Sequence, residues 1–201
     1  MSDPIFKAVF GKEWDNLPLV FRKHYANHPY SNDINTVEGL MDISYSRLMA
    51  CFIPVNKLLK ILVPYRGKKV PVTVDYVSKT DSAEFCLYRT FYFPGKKPYA
   101  FNSQMKVEQN DSVVELMRFG LGWRMRYFYD GKKVILQHKR FVWKMLGICI
   151  PLPLEILIGK GHAEEEMIDE NSYRVTMTLT HALFGEMYRY EGDFTFKRIT
   201  S

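Results

Sequence analysis

The chain has 201 residues, 47% hydrophobic and 15% aromatic, and carries a formal net charge of +6. That length fits a single domain spanning 1–201 with a sizeable core, and no repeat, linker or composition break divides it. Cys51, Cys86 and Cys149 are odd in number, far apart and outside any CxxC, which excludes a disulfide framework and points to a reducing compartment.

The opening MSDPIFKAVFGKEWD lacks a basic segment followed by an apolar one, so no secretory leader is expected. The most apolar stretches, 48–64 and 145–158, contain prolines and fall short of the ~20 residues a spanning helix needs. The expected location is cytoplasmic, at most peripheral to the inner membrane.

In chain order, residues 17–29 predict a short helix, with Leu17, Val20, Phe21 and His24 on one face. A polar break covers 31–35. Residues 39–52 fit strand or helix equally, Pro54 interrupts them, and a short helix is expected near 55–62. The period then changes to two. Residues 70–77 are β-branched and read as a strand. Residues 84–93 alternate, with Phe85, Leu87, Arg89, Phe91 and Phe93 on one face, before a turn at Pro94-Gly95. Residues 98–108 place Tyr99, Phe101, Ser103, Met105 and Val107 on one face and a wet set on the other.

A turn at Asn110-Asp111 leads into a long hairpin expected about Asp130-Gly131 in a two-residue turn. That register sets Tyr127 opposite Val134, Met125 opposite Leu136 and Trp123 opposite His138 on an apolar face. Arg124, Arg126, Lys133 and Lys139 form a basic opposite face. Gly120 and Gly122 mark a bulge or tight bend. Residues 147–159 read as a proline-broken apolar loop or short helix. Asn171-Ser172 signals a turn, and 188–197 closes the chain as a strand carrying Tyr188, Tyr190, Phe194 and Phe196. Consecutive strands with short turns predict a β-rich α+β fold: a curved antiparallel sheet closed into a barrel or half-barrel, with short N-terminal helices.

Several stretches, in this order, carry a resemblance: LPLVFRKHYA, LYRTFYFPG, FNSQM, VELMRFG, GICIPLPLEIL and HALFGEMYRYEGDF. Over about 17–197 the chain resembles a bacterial domain-of-unknown-function family, found alone and fused behind dehydrogenase-like nucleotide-binding domains or membrane segments. Tyr88 stands where that family's W-x-R-x-F strand motif has Trp, and the register Tyr88-Arg89-Thr90-Phe91 is one residue shorter. The resemblance supplies no catalytic residue. It implies the sheet-rich fold and an association with small-molecule or lipid metabolism.

The acidic run at 164–170 places five carboxylates in an otherwise basic chain. On a strand, His162, Glu164 and Glu166 share one face, and Ala163, Glu165 and Met167 the other, so the glutamates cannot converge on one ion. HAEEE also lacks HExxH spacing. A solvated hairpin is the expectation, ahead of a metal site. Pairing with the basic hairpin face is a further option.

No P-loop, GxGxxG or nucleophile elbow occurs, so no cofactor is implied and no catalytic residue is assigned. Arg89 on an aromatic face costs several kcal/mol unless paired. It is expected either to anchor an anionic head group or to form a salt bridge with Glu115 or Glu186.

The leading expectation is a binding protein for a hydrophobic or amphipathic, lipid-like molecule, with Arg89, Phe91, Phe101, Ser103, Trp123 and Tyr190 lining the site. The alternatives are an enzyme or accessory domain using His24, Arg89 or Glu115 in the same cavity, or a partner-binding module with the basic face. The apolar 147–159 segment between lysines suggests an anionic membrane surface. Nucleic acid is not expected, because the aromatic and basic residues of the long hairpin lie on opposite faces.

Overall fold

The computed structural model describes residues 2–108 and 111–199. Alternation of buried and exposed residues builds the strands. They are β1 (Ile34–Tyr45), β2 (Gly67–Lys79), β3 (Ser82–Phe91), β4 (Tyr99–Val107), β5 (Ser112–Leu116), β6 (Leu121–Tyr129), β7 (Lys133–Met145), β8 (Ile148–Leu152), β9 (Lys160–Met167), β10 (Ser172–His181) and β11 (Gly185–Ile199). Sheet order is β6-β5-β4-β3-β2-β1-β11-β10-β9-β7, and β6 pairs back onto β7. Ten antiparallel strands therefore close a barrel, which removes the edges of an open sheet. β8 hangs outside the ring on β7, and β9 pairs with β7 at a different stretch, Lys133 to Gln137.

One end of the barrel is plugged by the N-terminal segment: α1 (Lys7–Phe10), a tight 3-10 turn over 11–16, and α2 (Leu19–His24). Phe6, Phe10, Trp14, Val20 and Phe21 are buried there. At the opposite end sit α3 (Arg47–Leu59) and the short α4 (Glu155–Ile158). Among the described residues no helix is long and apolar enough to cross a membrane.

Four local expectations are corrected. The helix near 55–62 begins earlier, at Arg47, because Ser46 caps it by accepting from the Met49 N–H at 3.1 Å, and Pro54 lies inside it. The helix expected over 17–29 is only six residues long, bounded by Pro18. The first arm of the long hairpin is two strands, since residues 118–120 turn the chain back on itself between β5 and β6. The second turn is also longer than two residues. Asp130 Oδ1 accepts from the N–H groups of Lys132 and Lys133 at 2.8 Å each, so Tyr127 faces Leu136 and Tyr129 faces Val134. A shift of two keeps every side chain on its expected face. A bulge at Arg124/Met125 then sets Trp123 opposite Phe141 and Met125 opposite His138. Of the Asn110-Asp111 turn, Asn110 lies outside the described residues.

Candidate functional site

The period-two pattern points Leu87, Arg89, Phe91, Phe101, Met105 and Trp123 into the barrel, where they surround a cavity of about 90 Å³. A cavity that admits benzene is about 150 Å³, so the space suits something compact. A smaller void of about 30 Å³ adjoins it and shares Arg89, Phe101, Glu115, Trp123 and Tyr190 as walls.

The first polar cluster stands between the voids. Arg89 Nη2 donates to Glu115 Oε1 at 2.6 Å and to Ser103 Oγ at 2.5 Å, and Nε donates to the Phe101 carbonyl at 3.2 Å. Ser103 Oγ donates to the same Glu115 oxygen at 2.6 Å. The guanidinium lies 4.3 Å from the Phe101 ring centre. Register brings the three residues together: Arg89 pairs with Phe101 across β3–β4, and Met105 pairs with Glu115 across β4–β5. Burial alone would lower the Arg89 pKa. Glu115, Tyr190 and Tyr76 outweigh it, and the guanidinium is held more firmly protonated than usual. Of the two partners expected from the sequence, Glu115 is the one Arg89 takes; Glu186 pairs with Arg189 instead.

A second cluster lies beneath the N-terminal plug. His24, on the buried face of α2, sits 4.5 to 4.7 Å between ring centres from Tyr25, Tyr76 and Tyr173. Its Nε2 is 3.5 Å from Glu165 Oε1, and Tyr25 Oη donates to Glu165 Oε2 at 2.6 Å. His24 Nδ1 is buried with no hydrogen-bond partner among the described residues. Burial, and after it Glu165, pushes the Tyr25 hydroxyl well above its ordinary pKa, so it stays a donor. Burial also carries Tyr190 up to about 12 against the pull of Arg89.

Glu165 corrects the solvated-hairpin expectation for the acidic run. Glu164 and Glu166 face outward and share Lys133, at 2.9 and 3.4 Å, while Glu165 turns into the barrel and is 7% exposed. Pairing with the basic face, the third option from the sequence, accounts for the outer two. His162 Nε2 meets Glu164 at 2.9 Å. Among the described residues no group of three or more His, Cys, Asp or Glu is placed to hold a metal.

Phe91, Phe101, Trp123, Tyr190 and Arg89 all line the cavity, and Ser103 reaches it through Arg89 and Glu115. Trp123 lies where a Cβ on Gly161 would be, 2.4 Å from its ring, so only glycine lets β9 pass there. The indole N–H donates to His138 Nδ1 at 2.6 Å, and His138 Nε2 meets Glu155 at 2.9 Å. The basic face is largely neutralised: Arg124 by Glu108, Arg126 by Asp111 and Lys133 by the glutamates, leaving Lys139 exposed at the bulge. Sequence reasoning missed Glu165, Tyr25, Tyr76 and Tyr173.

A family model described as Domain of unknown function (DUF4166) matches residues 17–194. No curated protein matches the chain. A solved structure, the dehydratase domain of the polyketide PpsC from Mycobacterium tuberculosis, aligns over 89% of this chain and 80% of its own at 5% identity, with a TM-score of 0.20. A superposition that loose carries no argument.

Proposed function

We propose a binding function for this chain, which belongs to the DUF4166 family of domains of unknown function: the barrel takes in a compact amphipathic molecule with an apolar body and one hydrogen-bond donor. The observation that carries this reading is the buried, unpartnered His24 Nδ1 on the wall of a mainly apolar cavity. An unsatisfied buried group costs about 1–3 kcal/mol, and in folded proteins such a group calls for a missing partner.

Glu165 Oε1 lies 3.5 Å from Nε2; in the tautomer with the ring proton on that nitrogen, Nδ1 is an acceptor. A ligand hydroxyl or amide supplies the donor. Its carbon is covered by Val72, Val74, Phe85 and Met105, at about 25 cal/mol per Å² of apolar area. Arg89 already has its counter-charge, so an anionic head group would have to displace Glu115. That favours a neutral ligand. The cavity volume favours one smaller than a lipid chain.

The same carboxylate–imidazole arrangement supports a second reading, in which His24 is a general base toward a bound substrate. Native mass spectrometry of the purified protein, followed by organic extraction, separates the readings. A binder gives a stoichiometric low-mass adduct that is absent from a His24→Leu variant with unchanged near-ultraviolet dichroism. An enzyme converts the extracted compound, and His24→Leu abolishes conversion. A clean apo mass, together with no thermal stabilisation by any small alcohol or amide, refutes both.

A further inference from the structure

The two ends of the barrel differ in chemistry. At the plugged end the hairpin turns read KTDS, YDGKK and DENS. At the other end they read RFG over 118–120, LG at 146–147 and LFG over 183–185, with the PLPLEILIG segment between the last two. Leu146 is 93% exposed and Leu183 82%; Phe119, Ile148, Ile156 and Phe184 are also exposed. Contacts tie these tips into one rim. Trp143 Nε1 donates to the Phe119 carbonyl at 3.0 Å, and Arg118 Nη1 to the Leu58 carbonyl of α3 at 3.1 Å. On the other side His181 Nε2 meets the Ile156 carbonyl at 3.0 Å, and the Phe184 ring stacks on His181.

Two of the tips are strained. Phe119 has φ +60° and Leu146 φ +50°, and the following Gly120 and Gly147 are also left-handed. A two-residue hairpin turn with both φ values positive favours Asn-Gly, and a bulky residue there costs about 1–3 kcal/mol. Leu146 gains no packing in return. Side chains that oppose local preference and stay in water serve something outside the fold.

Charge identifies the occupant. Lys57 of α3, Lys60 just past its end, Lys96 and Lys97 of the β3–β4 turn, Arg118 and Lys144 lie at this end, and none of the six forms an ion pair among the described residues. On the barrel wall Arg124, Arg126, Lys133 and Arg174 are paired, while Lys139 and Arg140 at the β7 bulge form no ion pair among the described residues. Of the acids at this end, Glu155 is held by His138 and the Phe141 N–H, and Glu186 by Arg189. A strand partner is disfavoured because β8, the free edge here, carries Pro151 and so lacks a donor.

We infer that this end of the barrel docks on an anionic lipid bilayer. The Phe119, Leu146, Leu183 and Phe184 side chains enter the interfacial layer, and the five lysines and Arg118 meet the headgroups. The β8 backbone stays at headgroup depth, since its open edge would be unsatisfied in hydrocarbon. This inference is independent of what the cavity binds.

Co-sedimentation of the full chain with vesicles of phosphatidylcholine, with and without phosphatidylserine, tests it. Binding is expected only with phosphatidylserine. It should weaken about tenfold or more in Leu146→Glu/Ile148→Glu and, separately, in Lys57→Glu/Lys60→Glu, and fall as salt rises. Leu146, Ile148 and Lys57 are exposed and Lys60 is half-buried with its ammonium on the Ala100 carbonyl, so dichroism should match the parent and melting should stay close to it. Equal binding to both vesicle types, no effect of either double variant, or absence of binding overturns the inference. So does a dimer in light scattering that Leu146→Glu/Ile148→Glu dissolves without any vesicle binding, which would assign the face to a second copy.

Discussion

Replacing Glu115 by alanine tests why the barrel keeps a charged pair in its wall. Arg89 and Glu115 are 13% and 12% exposed as side chains and meet at 2.6 Å. Without Glu115 the guanidinium retains Ser103 Oγ and the Phe101 carbonyl but loses its counter-charge, with Leu87, Phe91 and Phe101 also on the cavity wall. Breaking one side of such a pair costs about 3–5 kcal/mol. At a urea m-value of about 2 kcal/mol/M, that lowers the unfolding midpoint by about 2 M. Replacing both partners, as Arg89→Met/Glu115→Leu, removes both desolvation penalties and keeps comparable volume. That variant should lie within about 1 kcal/mol of the parent or above it. Urea titrations of the four members of the cycle give the coupling energy directly. A midpoint shift under about 0.5 M in Glu115→Ala would refute the low-dielectric picture of the cavity. A double variant as unstable as the single one would show that the pair is kept for stability, not for a ligand.

Tyr25→Phe removes the donor to Glu165 and should destabilise by about 1–3 kcal/mol in the same titration; no loss would mean that water replaces it. Leu146→Asn relieves a left-handed leucine and should raise stability by about 1 kcal/mol while weakening vesicle binding, whereas a loss of stability would remove the strain argument. Burial holds His138 below its ordinary pKa despite Glu155, and Glu155 is held low because bonds from its own N–H, His138 and Phe141 outweigh its burial. Both groups therefore bind fewer protons folded than unfolded. Stability is full above about pH 6.5, declines as the unfolded chain's histidine protonates, and declines again as pH falls through the folded pKa of Glu155. Thermal melts from pH 8 to 3 should show this, with the upper step reduced in His138→Gln; higher stability at pH 5 than at pH 7 would contradict it.

The inward face of β3 and β4 was legible because strict alternation leaves one assignment for Phe85, Leu87, Arg89 and Phe91, and for Phe101, Ser103 and Met105. Arg89's partner was narrowed to two glutamates, and register across β4–β5 decides for Glu115. Glu165 was placed on a different face from its neighbours, but nothing local says that this face turns inward. The signal lay in the small residues of the same parity, Gly161 and Ala163, which make room for Trp123 and the cavity. Closure was not legible either. It depends on β7 pairing with β6 from Val134 to Trp143 on one edge while its other edge divides between β9 at Lys133–Gln137 and β8 at Phe141–Met145, a long-range choice that no local period encodes. The His24 cluster spans α2, β2, β9 and β10, so it exists only once the barrel has closed over the plug.

The two voids give the cavity and the apolar rim a common geometry. The smaller one is walled by Ile61 and Leu62 after α3, Met117 before the RFG turn and Ile158 of α4, all at the rim end, and by Arg89 and Glu115 at its other side. The larger one runs from that pair to His24 and Glu165 beneath the plug. The ion pair therefore stands between the two voids, the smaller walled mostly by apolar residues and the larger ending at the imidazole. A molecule reaching His24 from a bilayer would cross apolar walls, exchange water for the Arg89–Ser103–Glu115 hydrogen bonds, and end with its donor on Nδ1. The pair is neutral as a whole, so it offers a passing polar group both donors and acceptors, while a lone charge of either sign meets a repelling partner. A neutral amphipathic molecule would therefore pass the pair more easily than an anion, the same selectivity that the Arg89–Glu115 contact gives the proposed binding site.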